Sequence, residues 1–128
     1  MELEGRVNLI ENLEVGVNYT LTDSKLKKFN FRIPEIPNNL VSVFADYRLW
    51  KKLRLHANVN FVDDSVIAPA PIFPLNEAHT TVDLNVIYEF CPDFKVFGRV
   101  QNLFNEHYRD DTLEAPGIFA FGGVSVKI

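Results

Sequence analysis

Residues 53–61 read Leu-Arg-Leu-His-Ala-Asn-Val-Asn-Phe, so apolar side chains occupy every odd position and polar side chains every even one. Because a strand points successive side chains to opposite faces of a sheet, this period of two predicts a β-strand with one apolar and one polar face. A helical period fails along the chain, since apolar residues at i and i+2 dominate and i, i+3, i+4 triples are scarce outside the loops.

The same alternation recurs in segments of about ten residues. It predicts about seven strands and no helix. Short turns at Glu11, Lys51 and Pro92 alternate with long connections over residues 22–39, 62–80 and 105–117. The prolines of the long connections would each cost a central strand a ladder hydrogen bond. The sequence therefore predicts one all-β domain over residues 1–128, folded as an antiparallel meander.

Composition sets limits on the class of protein. The chain has 128 residues, a net charge of -4, 47% hydrophobic and 23% charged residues. The length indicates one domain, and the negative net charge excludes a simple basic surface for binding nucleic acid. Cys91 is the one cysteine, so no internal disulfide is expected. The amino end shows no export signal, and an exported protein would therefore need a precursor longer than this chain.

Two features favour a membrane barrel over a soluble one. The first is a polar face dense with charges of both signs, which would suit a hydrated lumen. The second is the position of aromatic residues near the ends of the strands, as in an interfacial girdle. The charges are Glu2, Glu4, Arg6, Asp46, Arg48, Lys52, Arg54, Asp83, Glu89, Lys95, Arg99 and Lys127. The aromatic residues are Trp50, Phe90 and Phe94 at the short-turn end, and Phe61, Phe104, Tyr108, Phe119 and Phe121 nearer the long loops.

A soluble all-β binding module remains the alternative. Such a small closed barrel would turn its apolar face inward around a cavity for a lipophilic ligand. Leu55, Val59, Val86 and Val124 would then line the pocket or the core. This alternative explains the composition but not the regular exchange of short and long connections.

Chemical sites are weakly indicated. His56, His79 and His107 lie in different segments and lack the spacing of a preassembled metal site. The acidic pairs at 63–64 and 110–111, and the basic run of residues 25–32, are better explained as solvated loop charges than as calcium or anion sites. No nucleophile with an adjacent base is present, so we expect no catalytic residue, no metal, no cofactor and no enzymatic activity.

The end of the chain resembles the carboxyl-terminal signature of TonB-dependent outer-membrane receptors. In that family an Asn-Leu-Phe-Asp/Asn-x-x-Tyr element ends the penultimate strand, and Pro-Gly-Arg opens the last one. The matching residues here are Asn102, Leu103, Phe104, Tyr108, Pro116 and Gly117. Arg32, Pro34, Pro37, Tyr47 and Asp83 also fall where such receptors have similar residues. The chain departs from the pattern at Ile118, usually arginine, and at Ile128, usually aromatic.

The resemblance implies part of a transmembrane β-barrel in the bacterial outer membrane, with extracellular long loops and periplasmic short turns. Such receptors take up a ferric siderophore, haem, cobalamin or a similar nutrient. Their partners are the lipid, the remainder of the barrel, a plug and an inner-membrane energy-transducing protein; no nucleic acid is involved. Neither the plug nor the box that contacts the transducer is found in this sequence, so the chain alone is not expected to transport. Its substrate-binding residues are not indicated.

An odd number of strands cannot close an antiparallel barrel. Segments 3–9 and 118–128 would be open edges with rows of unpaired backbone groups. We therefore expect the isolated chain to self-associate.

Overall fold

The computed structural model describes residues 1–26, 31–67, 75–110 and 113–127. Seven long strands form one antiparallel sheet in which each strand pairs with the next along the chain. They are β1 (Glu2–Ile10), β2 (Leu13–Leu21), β3 (Asn39–Leu49), β4 (Leu53–Val62), β5 (His79–Cys91), β6 (Phe94–Gln101) and β7 (Phe119–Val126). No helix among the described residues is long and apolar enough to cross a bilayer. The predicted all-β meander of seven strands is confirmed.

The connections alternate in length as the sequence predicts. Short turns join β1 to β2, β3 to β4 and β5 to β6, and Trp50 in the second turn has a positive φ of 56°. The three long connections lie at the opposite end of the sheet. Each contains a ribbon of two short strands: Lys25–Leu26 with Phe31–Arg32, Ser65–Val66 with Leu75–Asn76, and Arg109–Asp110 with Leu113–Glu114. The third connection begins at Asn102 rather than Asn105, because the backbone of Asn102 turns to a φ of 50° and leaves the strand.

Cross-strand register separates the two faces of the sheet. One row across β2 to β5 is entirely apolar, and its members are Val17, Val43, Val59 and Val82. A row on the other face is polar, and its members are Glu14, Asp46, His56, Asn85 and Arg99. Alternation within each strand extends this division over the sheet, so one face is apolar and the other carries the charges.

The sheet has no hydrophobic core within the described residues. No apolar residue there is buried, and Val59, Val86 and Val124 are 39%, 40% and 64% exposed. The edge strands β1 and β7 pair with β2 and β6 and not with each other. The soluble alternative requires a closed barrel around Leu55 and these valines, and the sheet provides neither the closure nor the interior.

The aromatic residues follow the predicted girdle at one end and depart from it at the other. Tyr88, Phe90 and Phe94 cluster at the short-turn end, with ring centroids 4.6 and 5.4 Å apart. The prediction is wrong for Phe119 and Phe121, which lie opposite Gln101 and Arg99 and so belong to the polar face. They alternate with Ala120 and Gly122, which lie opposite Val100 and Gly98 on the apolar face.

Candidate functional site

The polar face of the sheet carries ion pairs along and between strands. Lys95 Nζ lies 2.9 Å from Glu89 Oε1, and His56 Nδ1 lies 2.8 Å from Asp46 Oδ1. Arg6 Nη2 is 2.7 Å from a carboxylate oxygen of Glu4 on the same strand. Most of these side chains are about half exposed, so water screens their contacts, which hold polar groups toward the solvent rather than stabilise the sheet strongly.

Phe44 is an aromatic platform within this polar face. Its ring lies over Gly16 of the neighbouring strand, in the space that a Cβ at Gly16 would occupy. The guanidinium carbon of Arg6 is 5.5 Å from the ring centroid, and the ring of His56 is 6.3 Å away. Because Gly16 has no side chain, the ring of Phe44 can lie over its backbone, with Arg6 and His56 beside the ring.

Loop 1 (residues 22–38) is fastened to loop 2 (residues 63–78). Arg32 contacts Asp64 twice, through Nη1 to Oδ2 and through Nη2 to the backbone oxygen, at 2.9 Å each. Glu35 N donates to Val66 O at 2.8 Å. Arg32 is thus committed to Asp64 and does not add to a free basic cluster with Lys25; Lys27 and Lys28 lie outside the described residues.

Asp63 forms a second tie between the base of loop 1 and loop 2. Asn39 Nδ2 donates to Asp63 Oδ2 at 2.6 Å, and Asp64 N donates to Asp63 Oδ1 at 3.0 Å. The hydrogen bond from Asn39 is the largest cause that holds the pKa of the Asp63 carboxyl below its ordinary value of 3.8; the Asp64 hydrogen bonds and the charge of Arg32 act in the same direction. Partial burial opposes the shift.

This tie is expected to weaken in acid. A carboxyl whose pKa is lowered by folding stabilises the fold above the ordinary value of 3.8 and loses that contribution as the pH falls through the lower folded value. Melting temperatures of the wild type and Asp63→Asn, measured from neutral pH to below 3.8, are therefore expected to converge in acid. Asp64 and Arg32 are present in both proteins, so their contributions cancel in the difference between the two melting temperatures. A difference that stayed constant over this range would contradict the assignment to Asp63.

Clefts lie between the long loops at their end of the sheet. A cleft of about 400 Å³ is lined by Glu77, His107, Tyr108, Arg109, Glu114 and Ala115. A second of about 310 Å³ is lined by Glu35, Pro37, Val62, Asp63, Ser65, Asn76, His79 and Arg109. Between them, the rings of His79 and Tyr108 stack with centroids 3.7 Å apart and 9° between planes. Sequence reasoning did not find these clefts, because they form where loops distant in sequence meet.

The three histidines lie in three different places in the described part of the chain. No group of three or more histidine, cysteine, aspartate or glutamate side chains there could hold a metal ion. His56 contacts Asp46 on the polar face, His79 stacks on Tyr108, and His107 lines the cleft of about 400 Å³.

The motif residues meet at the loop end of β6. Asn102 is 6% exposed, and its side-chain amide contacts both backbone groups of Glu106: Oδ1 accepts from the nitrogen at 2.8 Å and Nδ2 donates to the oxygen at 2.9 Å. Asn102 N donates to Asp83 Oδ1 at 3.0 Å, and Leu103 N donates to Val82 O at 2.8 Å.

The remaining motif residues divide between this contact region and the surface. Pro116 O accepts from Asn102 Nδ2 at 3.4 Å, and Gly117 lies against the amide of Asn105. Tyr108 stacks on His79, whereas Phe104 is 74% exposed. Asn105 stands at the Asp/Asn position of the element, and the resemblance did not indicate its contact with Ile118 across loop 3.

Comparisons of shape identify the fold. Over 98% of this chain, the ferric enterobactin receptor PfeA of Pseudomonas aeruginosa superposes with a TM-score of 0.85 at 16% identity. The copper transporter OprC covers 98% with a TM-score of 0.83 at 16% identity, and the siderophore receptor PirA of Acinetobacter baumannii covers 96% with 0.81 at 17%. The chain has the fold of the TonB-dependent receptor barrel. This is the fold that the resemblance implies.

The chain spans about a fifth of the length of these proteins: 22% of PfeA, 22% of OprC and 21% of PirA. No family model and no curated protein matches its sequence. The similar structures are named as transport receptors, which fits the expectation that the segment is not an enzyme.

Proposed function

We propose that the chain forms part of the wall of an outer-membrane receptor barrel for energy-coupled uptake of a scarce nutrient. The sheet has an apolar face and a charged face but no buried apolar residue among those described, and this observation carries the proposal. Such a sheet needs lipid on one face and water on the other. Its location would then be the bacterial outer membrane.

The proposed nutrient class is supported by the names of the similar structures, two of which are named for siderophores and one for copper. A ferric siderophore, haem, cobalamin or a similar metal-carrying compound is therefore the proposed cargo. The clefts between the three loops, with Arg109 lining both, would form one side of the ligand vestibule.

Partners are proposed on the same ground. The edges at β1 and β7 require further strands, which the remainder of the barrel would supply. A plug inside the barrel and an inner-membrane energy transducer complete such a receptor, as the family resemblance implies. Without these strands, the two open edges would make the isolated chain self-associate.

Labelling of single cysteines tests both the membrane location and its orientation. Cys91 is exposed at the short-turn end, and Glu77 is exposed at the long-loop end. In cells that produce the protein, a membrane-impermeant maleimide is expected to label Glu77→Cys, in a Cys91→Ser background, on intact cells. Wild-type Cys91 should react only after the outer membrane is permeabilised.

The possible results separate the parts of the proposal. Labelling of Cys91 but not of Glu77→Cys on intact cells would reverse the orientation. Recovery of the protein in the soluble fraction, with both positions equally reactive after lysis, would overturn the membrane location.

A further inference from the structure

The register of the last strand is weakly determined by its own sequence. Residues 119–126 read Phe-Ala-Phe-Gly-Gly-Val-Ser-Val, and Gly122 lies opposite Gly98 of β6, so this pair has no side chains in contact. Strands rich in glycine are prone to slip against their neighbours. Loop 3 (residues 102–118) is also too long to fix the register as a two-residue turn does.

Alternation of faces removes half of the wrong registers. A slip by one residue would move Val124 and Val126 to the polar face, so it is strongly disfavoured. A slip by two residues keeps every side chain on its face. Choosing between the native register and its two-residue neighbours therefore needs a contact at a fixed point.

Asn102 supplies the first half of that contact, on the side of β6. Its amide pairs with both backbone groups of Glu106, as a peptide unit of an adjacent strand would. Its backbone nitrogen is tied to Asp83 of β5, so the start of loop 3 is held against the sheet. Asparagine tolerates the positive φ of 50° better than most residues.

Asn105 supplies the second half, on the side of β7. Its Oδ1 accepts a hydrogen bond at 2.8 Å from the nitrogen of Ile118, the residue immediately before β7. The amide occupies the space that a Cβ on Gly117 would fill, so the approach depends on glycine there. Asn102 Nδ2 also reaches Pro116 O at 3.4 Å. Ile118 is thus joined to the end of β6 across the whole of loop 3.

We propose that Asn102, Asn105 and Gly117, together the asparagine pin, set the register of β7 on β6. The pin fixes where β7 begins, and backbone pairing then places Lys95 opposite Ser125 and Arg99 opposite Phe121. This role concerns assembly of the sheet and does not rest on the nutrient that is transported. Phe97, whose ring lies over Gly123, is a second register-dependent contact, so loss of the pin should give a mixture of registers.

Disulfide cross-linking in outer-membrane preparations of the full-length protein measures the register directly. In a Cys91→Ser background, Lys95→Cys with Ser125→Cys reports the native register. Lys95→Cys with Lys127→Cys, and Arg99→Cys with Phe119→Cys, report two-residue slips in the two directions. With an intact pin, the native pair should cross-link at least about tenfold more than either slipped pair, which corresponds to 1.4 kcal/mol.

Variants of the pin should reduce this ratio severalfold. Asn105→Gly keeps the positive φ of 54° without strain but removes the acceptor, and Gly117→Ala displaces the amide of Asn105. Asn105→Asp retains an acceptor for Ile118 N and should keep the native ratio. Gly98→Ala is the matched glycine control, since nothing lies within 4 Å of the Cβ it would add.

A double variant keeps the test decisive if one substitution lowers the yield of folded protein. Once Asn105→Gly has removed the amide, Gly117→Ala should cause no further slip. Native cross-linking unchanged in Asn105→Gly and Gly117→Ala would overturn the proposal, as would additive effects of the two. The wall function could still hold in that case, because it is tested by labelling and not by register.

Discussion

Val17→Arg should destabilise the lipid-embedded sheet by about 2–4 kcal/mol, the cost of an arginine near the bilayer midplane on the lipid face of a barrel. Val17 lies near the middle of β2, in the row with Val43 and Val59, and is 43% exposed on the apolar face. The adjacent Asn18 lies opposite Ser42 on the polar face. Asn18→Arg should therefore change stability by no more than about 0.5 kcal/mol.

The two variants form a matched pair, because they place the same side chain at neighbouring positions and differ only in the face. Unfolding by denaturant in lipid vesicles gives the free energies, and the folded fraction can be read from heat-modifiable migration on gels. Equal effects of the two arginines would mean that the apolar face does not meet lipid. A larger effect at Asn18 would reverse the assignment of the faces.

Asn102→Leu should cost about 2–5 kcal/mol through two separate causes. Leucine cannot replace the hydrogen bonds of the buried amide to Glu106, each worth about 0.5–1.5 kcal/mol net. It must also adopt the positive φ of 50°, which costs about 1–2 kcal/mol for an ordinary side chain.

Two control variants separate these causes. Asn102→Gly accepts the positive φ and loses only the side-chain hydrogen bonds, so it should be less destabilising than Asn102→Leu. Asn8→Leu makes the same exchange at an exposed position of β1 and should be nearly neutral. Denaturant unfolding in the same lipid gives all three values. Stability of Asn102→Leu equal to that of Asn8→Leu would show that the amide contacts contribute nothing.

The strands, the faces and the positions of the short turns could be predicted because they depend on local pattern. Residues 53–61 became most of β4, and the turns fell at Glu11, Lys51 and Pro92 as expected. The two-residue period of side-chain direction is imposed by backbone geometry alone, so it can be recognised in the sequence of a single strand. The aromatic girdle was predicted less well, since Phe119 and Phe121 were expected in it and lie on the polar face.

The contacts at the loop end could not be predicted from the alternation of apolar and polar residues. Arg32 meets Asp64, and Asn105 meets Ile118, across stretches of chain whose path no local rule predicts. The charges of Arg32 and Asp64 were visible in the sequence, but their pairing was not. The resemblance pointed to Asn102 and Gly117 without showing that the space left by the missing Cβ of Gly117 is filled by the amide of Asn105.

A sheet without a hydrophobic core also places fewer constraints on its sequence than a sheet that packs into one. Close-packed cores penalise changes of side-chain volume, but lipid chains are fluid and fit any apolar side chain that faces them. Because no described apolar residue is buried, substitutions among valine, leucine and phenylalanine on that face would go unselected as long as they stay apolar. Such a fold could then be kept at low sequence identity, and here a TM-score of 0.85 accompanies 16% identity.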